Sequence, residues 1–270
     1  MTLEPRVSFI VPVRNRVAEL RAALASCLAQ SIDAWEAVVI DDHSEEDVAA
    51  VVAALGDSGL RYYRQSSDRR GVAAARESAI ARARTDILIT LDADDLNHPH
   101  RAHRCLELLQ IPGPRLIYTR VRLFIGSDGR NWPKPVFQPF NLPLLELFNF
   151  ITNPGTAFNR LAYEVAGGHL DHSLAIGEDY DLYLRMARQE VSILGLDEEH
   201  VSYRKGGAST TAGREEAMHR AIMQIRRKHA VPPFPLEELR LHALPELCRN
   251  ILDDPAMRQL WSDDRWCPHG

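Results

Sequence analysis

The stretch ILITLDADDLNHP, residues 87 to 99, runs an apolar, β-branched segment straight into Asp92, Asp94 and Asp95. Like charges that close repel, and each loses hydration if partly buried. Open solvent, a basic neighbour or a bound cation must compensate them. Two more acidic pairs stand out: Asp41 and Asp42 in VVIDDHS, and Glu178 and Asp179 in IGEDYDL. Arg69 and Arg70 precede Gly71, and Arg76 follows it in GVAAARESAIARAR. Glycine permits close backbone approach, a helix N-terminus favours anions, and a guanidinium can neutralise a phosphate. Structural duties suit the same residues. LDADD could be a solvated acidic turn, DHSEED is rich in capping types, acids in a first helical turn complement the dipole, and each arginine could be a surface residue.

The elements that carry these residues decide whether they meet. VSFIVPV is a buried strand closed by Pro12, and VAELRAALASCLAQS has apolar residues at helical spacing. WEAVVIDDHS is a second strand ending in acids, residues 45–55 a second helix, LRYYRQ a third strand, and the alanine-rich segment after Gly71 a third helix. DILITLDADD is the fourth strand, and Pro99 stands near the start of the helix HRAHRCLELLQ. This alternation predicts an α/β fold, a mostly parallel Rossmann-like sheet with helices on both faces. Ligands in such sheets bind beyond the carboxyl ends of the strands, so IDDHS and LDADD should face one crevice. Further on, RLIYTRVRLFIGSDGRNW reads as a strand with a turn at Ser127–Gly129, residues 131–143 as a proline-rich loop, and GTAFNR as a short strand. GEDYDLYLRMARQ is a helix with acids first and bases last, HVSYRKGGASTTAG a strand entering a glycine-rich loop, and REEAMHRAIMQIRRKHA a charged amphipathic helix.

The 270 residues, 45% hydrophobic and 26% charged, can bury a real core. A net charge of −5 excludes a basic nucleic-acid footprint. No run approaches the ~20 apolar residues of a membrane span, although peripheral membrane contact stays open. The N-terminal segment reads as a first strand, not a signal peptide. Cys27, Cys105, Cys248 and Cys267 form no disulfide framework or metal knuckle, so a cytoplasmic location is expected.

VSFIVPVRN, VIDDHS, GVAAAR, LDADD and GEDYDL occur in that order over residues 5–210, and together they strongly resemble the family 2 glycosyltransferases of GT-A fold. The resemblance implies a domain over 1–212, with a nucleotide-binding half to about 125 and an acceptor half beyond it, followed by a helical C-terminal extension over 213–270. It implies inverting transfer of a sugar from a nucleotide donor to a hydroxyl acceptor, with Mn²⁺ or Mg²⁺ as cofactor. Asp94 and Asp95 would hold the metal. Pro12, Asp42, Arg70, Arg76, Asp92 and Asp94 would line the donor site. Asp42 would accept a hydrogen bond from the ring N–H of uracil or guanine, since a carboxylate only accepts. Asp92 would hold the ribose or a metal-bound water. Asp179, or failing it Glu178, would be the catalytic base, kept ionised at a helix start.

The sequence departs from its relatives in one loop. Many have a histidine near YRKGGAST, whereas Gly206 and Gly207 stand here, leaving the metal fewer ligands or the phosphate charge to Lys205. The QxxRW motif of processive polymerases is absent, which with no membrane span argues for a single addition. His98, His100 and His103 lack a standard metal spacing and read as a solvated helix face. Trp261 and Trp266 are expected to pack a tail onto the core. Two other classes compete. A nucleotidyltransferase would want glycines after the first strand, and VPVRNRVAEL has none. A non-catalytic nucleotide-sugar-binding protein would have less reason to keep every acidic pair.

Overall fold

The first apolar run forms β1 (Val7–Val13), and all seven of its residues are buried because helices cover both faces. Alternation along the strand divides the core in two. Phe9, Val11 and Val13 point to one cluster with Val39 and Leu24, and Ile10 points to the other with Val38, Leu88 and Tyr180. The computed structural model describes residues 3–125, 130–131, 137–174, 176–204 and 215–231.

The chain continues through α1 (Val17–Leu28), β2 (Trp35–Asp41), α2 (Val48–Leu55), β3 (Leu60–Arg64), α3 (Val72–Arg82) and β4 (Ile87–Thr90). A short β5 (Leu96–Asn97), α4 (Arg101–Leu109), the long β6 (Arg115–Ile125) and β7 (Arg130–Asn131) come next. Then follow α5 (Leu142–Leu147), β8 (Thr156–Asn159), α6 (Arg160–Val165), α7 (Glu178–Arg188), β9 (Ser192–Arg204) and α8 (Glu215–Lys228). The sheet order is β3-β2-β1-β4-β8-β6-β9-β5, with β7 paired to β6.

The first four strands are mutually parallel, as the β–α alternation predicts. The other half is mixed: β8 lies antiparallel between β4 and β6, β6 and β9 are parallel, and β5 is antiparallel to β9. Beyond Ile10, β1 no longer pairs with β4, while its pairing to β2 continues to Val13. Pro12, which has no N–H to give, sits in this one-sided stretch. The strand order reverses here, so the crevice opens between the ends of β1 and β4. Helix α8 packs on α7, with Ile225 buried in the second cluster. Lys205, Gly206, Gly207, the turn at 127–129, Cys248, Cys267, Trp261 and Trp266 lie outside the described residues.

Candidate active site

The two acids at the end of β2 have different fates. Asp41 is fully buried and satisfied from within: Oδ1 accepts from the Ser44 N–H at 2.8 Å, and Oδ2 accepts from Tyr62 Oη at 3.0 Å and Arg64 Nη1 at 2.9 Å. Asp42 is buried too, but only Oδ2 is engaged, accepting from the Gly71 N–H at 2.9 Å. Its Oδ1 has no partner among the described residues. Gly71 caps α3 with φ 92°, a conformation L side chains rarely adopt, and this aims its N–H at Asp42. Arg69 pairs with Glu77, whereas Arg70 is exposed with no partner among the described residues.

After β4 the chain turns sharply, with the Asp95 N–H donating to the Asp92 carbonyl at 3.1 Å. Asp92 and Asp94 are partly exposed, and Asp95 points inward with none of its surface exposed. Asp95 Oδ1 accepts from the Arg204 N–H at the end of β9 at 2.8 Å, and Oδ2 has no partner among the described residues. Burial, then Asp92 and Asp94, push the Asp95 carboxyl well above the usual carboxylate range. Burial also raises Asp94, against the pull of its ion pair with Arg16 and with the push of Asp92. The opening cluster is thus compensated in part by basic neighbours: Arg16 for Asp94, and Arg76 Nη2, at 2.6 Å, for Asp92.

Helix α7 starts at Gly177, whose φ is 90°, and a Cβ there would meet Ile225 of α8 at 2.9 Å. Glu178 is buried and pairs with Arg76. Asp179 is partly exposed, and its Oδ1 accepts from the Tyr180 N–H at 2.7 Å. The helix start does not hold Asp179 at an ordinary carboxylate value. Burial and then the neighbouring Glu178 carry its carboxyl up to about 7, against the pull of the Arg76 guanidinium. Asp181, one position past Tyr180, is fully buried and held well below the usual range, despite burial, chiefly by His229 and Lys228 of the α8 end and by Arg185.

The structure therefore brings Asp42, Asp92, Asp94, Asp95, Arg76, Glu178 and Asp179 to the carboxyl side of the sheet, with Pro12 buried in β1 opposite Ile40 of β2. Arg76 engages two carboxylates rather than open loop. His98 departs from the solvated helix face expected of it. It precedes α4, is half-buried, and its ring nitrogens meet the Glu199 carbonyl at 2.9 Å and Ser202 Oγ at 3.1 Å, tying the α4 entry to β9. Sequence reasoning missed Arg16, although its place just after β1 puts it at a strand end like the acids. It also missed Asn153 and Tyr183, which line a small cavity with Arg76, Glu178 and Asp179.

This sheet, covered on both faces with carboxylates gathered at its carboxyl edge, shares the GT-A fold of the solved glycosyltransferases it resembles. The structure resembles S. aureus TarS 1-349 solved with UDP-GlcNAc, with a TM-score of 0.66, 14% identity and coverage of 95% of this chain and 78% of that one. It also resembles the mannosyltransferase PcManGT from Pyrobaculum calidifontis, solved with GDP-Man and Mn²⁺, with a TM-score of 0.64, 18% identity and coverage of 98% and 76%. Residues 8–167 match Glycosyl transferase family 2, and the chain belongs to that family of transferase enzymes. Among curated relatives, the succinoglycan biosynthesis protein ExoO of Rhizobium meliloti (strain 1021) is 31% identical over 193 residues, 66% of this chain and 54% of that protein. The chain spans about half the length of the curated relatives it matches.

Proposed function

We propose that this chain transfers a sugar from a nucleotide-sugar donor, a UDP-sugar foremost, to an acceptor hydroxyl, in a single addition with inversion. One observation carries the reading: two buried carboxylate oxygens at the carboxyl edge, Asp42 Oδ1 and Asp95 Oδ2, lack partners among the described residues. Buried polar atoms are almost always paired, and an orphan is costly. A pyrimidine ring N–H suits the first. A divalent cation suits the second, since Mg²⁺ and similar hard ions take one or two carboxylates plus substrate phosphates rather than a complete protein cage. Asp94 and Asp95 would hold Mn²⁺ or Mg²⁺, which would neutralise the charge that builds on the leaving diphosphate.

The remaining roles belong to the chain itself. Asp42 orients the base and Asp92 the ribose. Arg70, exposed and without a partner among the described residues, meets the diphosphate. Arg76 keeps Asp92 and Glu178 in register. Asp179 takes the acceptor proton as the hydroxyl oxygen bonds to the anomeric carbon from the face opposite the diphosphate. The bond from that carbon to the diphosphate breaks, and its electron pair leaves with the nucleoside diphosphate. An acid whose proton affinity lies near neutrality suits general-base work. The buried free thiols Cys27 and Cys105 agree with a reducing, cytoplasmic setting.

The test is release of UDP from a panel of UDP-sugars, with Mn²⁺ and with EDTA. Metal-dependent release from at least one UDP-sugar, lost in Asp179→Asn, is expected. Release that ignores both the metal and Asp179 would refute the reading.

A further inference from the structure

Arg16 lies outside every motif that marks the family, yet it is the ion-pair partner of Asp94. Its position is built rather than incidental. Asn15 and Arg16 both adopt left-handed backbone conformations, φ 59° and 64°, which residues with side chains avoid unless their surroundings impose them. The surroundings here are specific. The Asn15 N–H donates to Ser44 Oγ at 2.7 Å, and Asn15 Oδ1 accepts from the Glu45 N–H at 2.8 Å. These bonds clamp the loop after β1 to the loop after β2. The Arg16 side chain therefore starts from a base tied to the loop after β2 and reaches Asp94 in the turn after β4. Both partners are largely withdrawn from water, with 24% and 16% of their side chains exposed.

We infer that Arg16 is an internal counterion: it holds Asp94 in the empty site and passes to the donor diphosphate when nucleotide and cation bind together. This rests on the reading that Asp94 and Asp95 hold the cation. Asp94 Oδ2 is taken by the guanidinium, so a cation approaching alone must displace it and meet a like charge. A diphosphate arriving with the cation supplies a new partner, because phosphate oxygens match the guanidinium fork as well as a carboxylate does. Cation and nucleotide then favour each other reciprocally. In this scheme Arg16 positions Asp94 in the empty site and binds the donor in the loaded one.

Calorimetry with Mn²⁺ alone, and with UDP in saturating Mn²⁺, tests it. Arg16→Gln should bind Mn²⁺ alone more tightly than wild type, by about fivefold, the low end of site-to-site coupling. It should bind UDP with Mn²⁺ more weakly by a similar factor. This opposite response of two ligands is not what general loosening of the fold would give. Arg16→Lys keeps the charge over Asp94 but not the fork, so Mn²⁺ alone should bind as in wild type and UDP more weakly. If Mn²⁺ alone binds Arg16→Gln no better than wild type, or both variants bind UDP like wild type, the exchange is refuted. If wild type shows no Mn²⁺-dependent UDP binding, the cation-site reading falls and the inference falls with it.

Discussion

Arg76 donates from Nη2 to Asp92 Oδ1 at 2.6 Å, and its other terminal nitrogen pairs with Glu178, so one side chain of α3 joins the acidic end of β4 to the start of α7. The Arg76 side chain is 11% exposed and that of Glu178 5%, which makes this a largely buried bridge between the end of β4 and the start of α7.

Removing Arg76 should therefore unfold the site, not trim a surface charge. Breaking a buried ion pair from one side costs about 3–5 kcal/mol, because a charge is left uncompensated. Arg76→Gln should lose stability on that scale in urea unfolding near neutral pH. A loss under about 1 kcal/mol, the worth of an exposed pair, would contradict the bridge.

Asp42 offers an acceptor and no donor, so it should separate UDP, whose ring N3 carries a proton, from CDP, whose N3 does not. Leaving a buried polar group unsatisfied costs about 1–3 kcal/mol, so UDP should bind about tenfold tighter or better. Asp42→Asn adds an N–H₂ group and should erase the preference. Equal calorimetric affinities in the wild-type protein would remove Asp42 from the base pocket.

Asp179 should set the pH dependence. As a base it works ionised, so UDP release should be slow in mild acid, rise through a pH of about 7 and then level off. Stability should move the other way. An acid whose folded value is raised contributes stability that is present below the unfolded value of about 3.9 and is lost as pH rises through the folded value. Asp179→Asn should therefore gain in melting temperature over wild type at about pH 8 more than at about pH 5, while its rate falls about 10²–10⁴-fold. Glu178→Gln should lose less rate. A wild-type rate flat between those pH values, or an Asp179→Asn variant that keeps its rate, would exclude this base.

Much of this could be read from the chain. Three of the four parallel strands, β1, β2 and β4, announce themselves as short apolar runs because both faces are buried, and each acidic motif sits at a strand or helix end. Sequence periodicity is silent on long-range pairing. Strand β8 has only four residues, and nothing in TAFN says it will run antiparallel between β4 and β6. Of the thirteen residues of β9 only Leu196 and Val201 are buried, and Asp197, Glu198 and Glu199 follow one another without an apolar residue between them, which hides the strand ahead of His200. The family resemblance singles out Asp42, but the physical reason it and not Asp41 is left open is not in the sequence, because it depends on Tyr62 and Arg64 reaching one and not the other. Arg16 escaped because its partner lies 78 residues away.

The central claim is that the carboxylates after β4 bind a nucleoside diphosphate through a divalent cation. The most direct measurement is the melting temperature of wild type and Asp94→Asn with UDP, in Mn²⁺ and in EDTA. A ligand that binds only the folded state raises the midpoint in step with its affinity. UDP should raise the wild-type midpoint much more in Mn²⁺ than in EDTA, and Asp94→Asn should abolish the difference. Equal shifts in Mn²⁺ and EDTA for wild type, or an undiminished metal-dependent shift in the variant, would contradict the account.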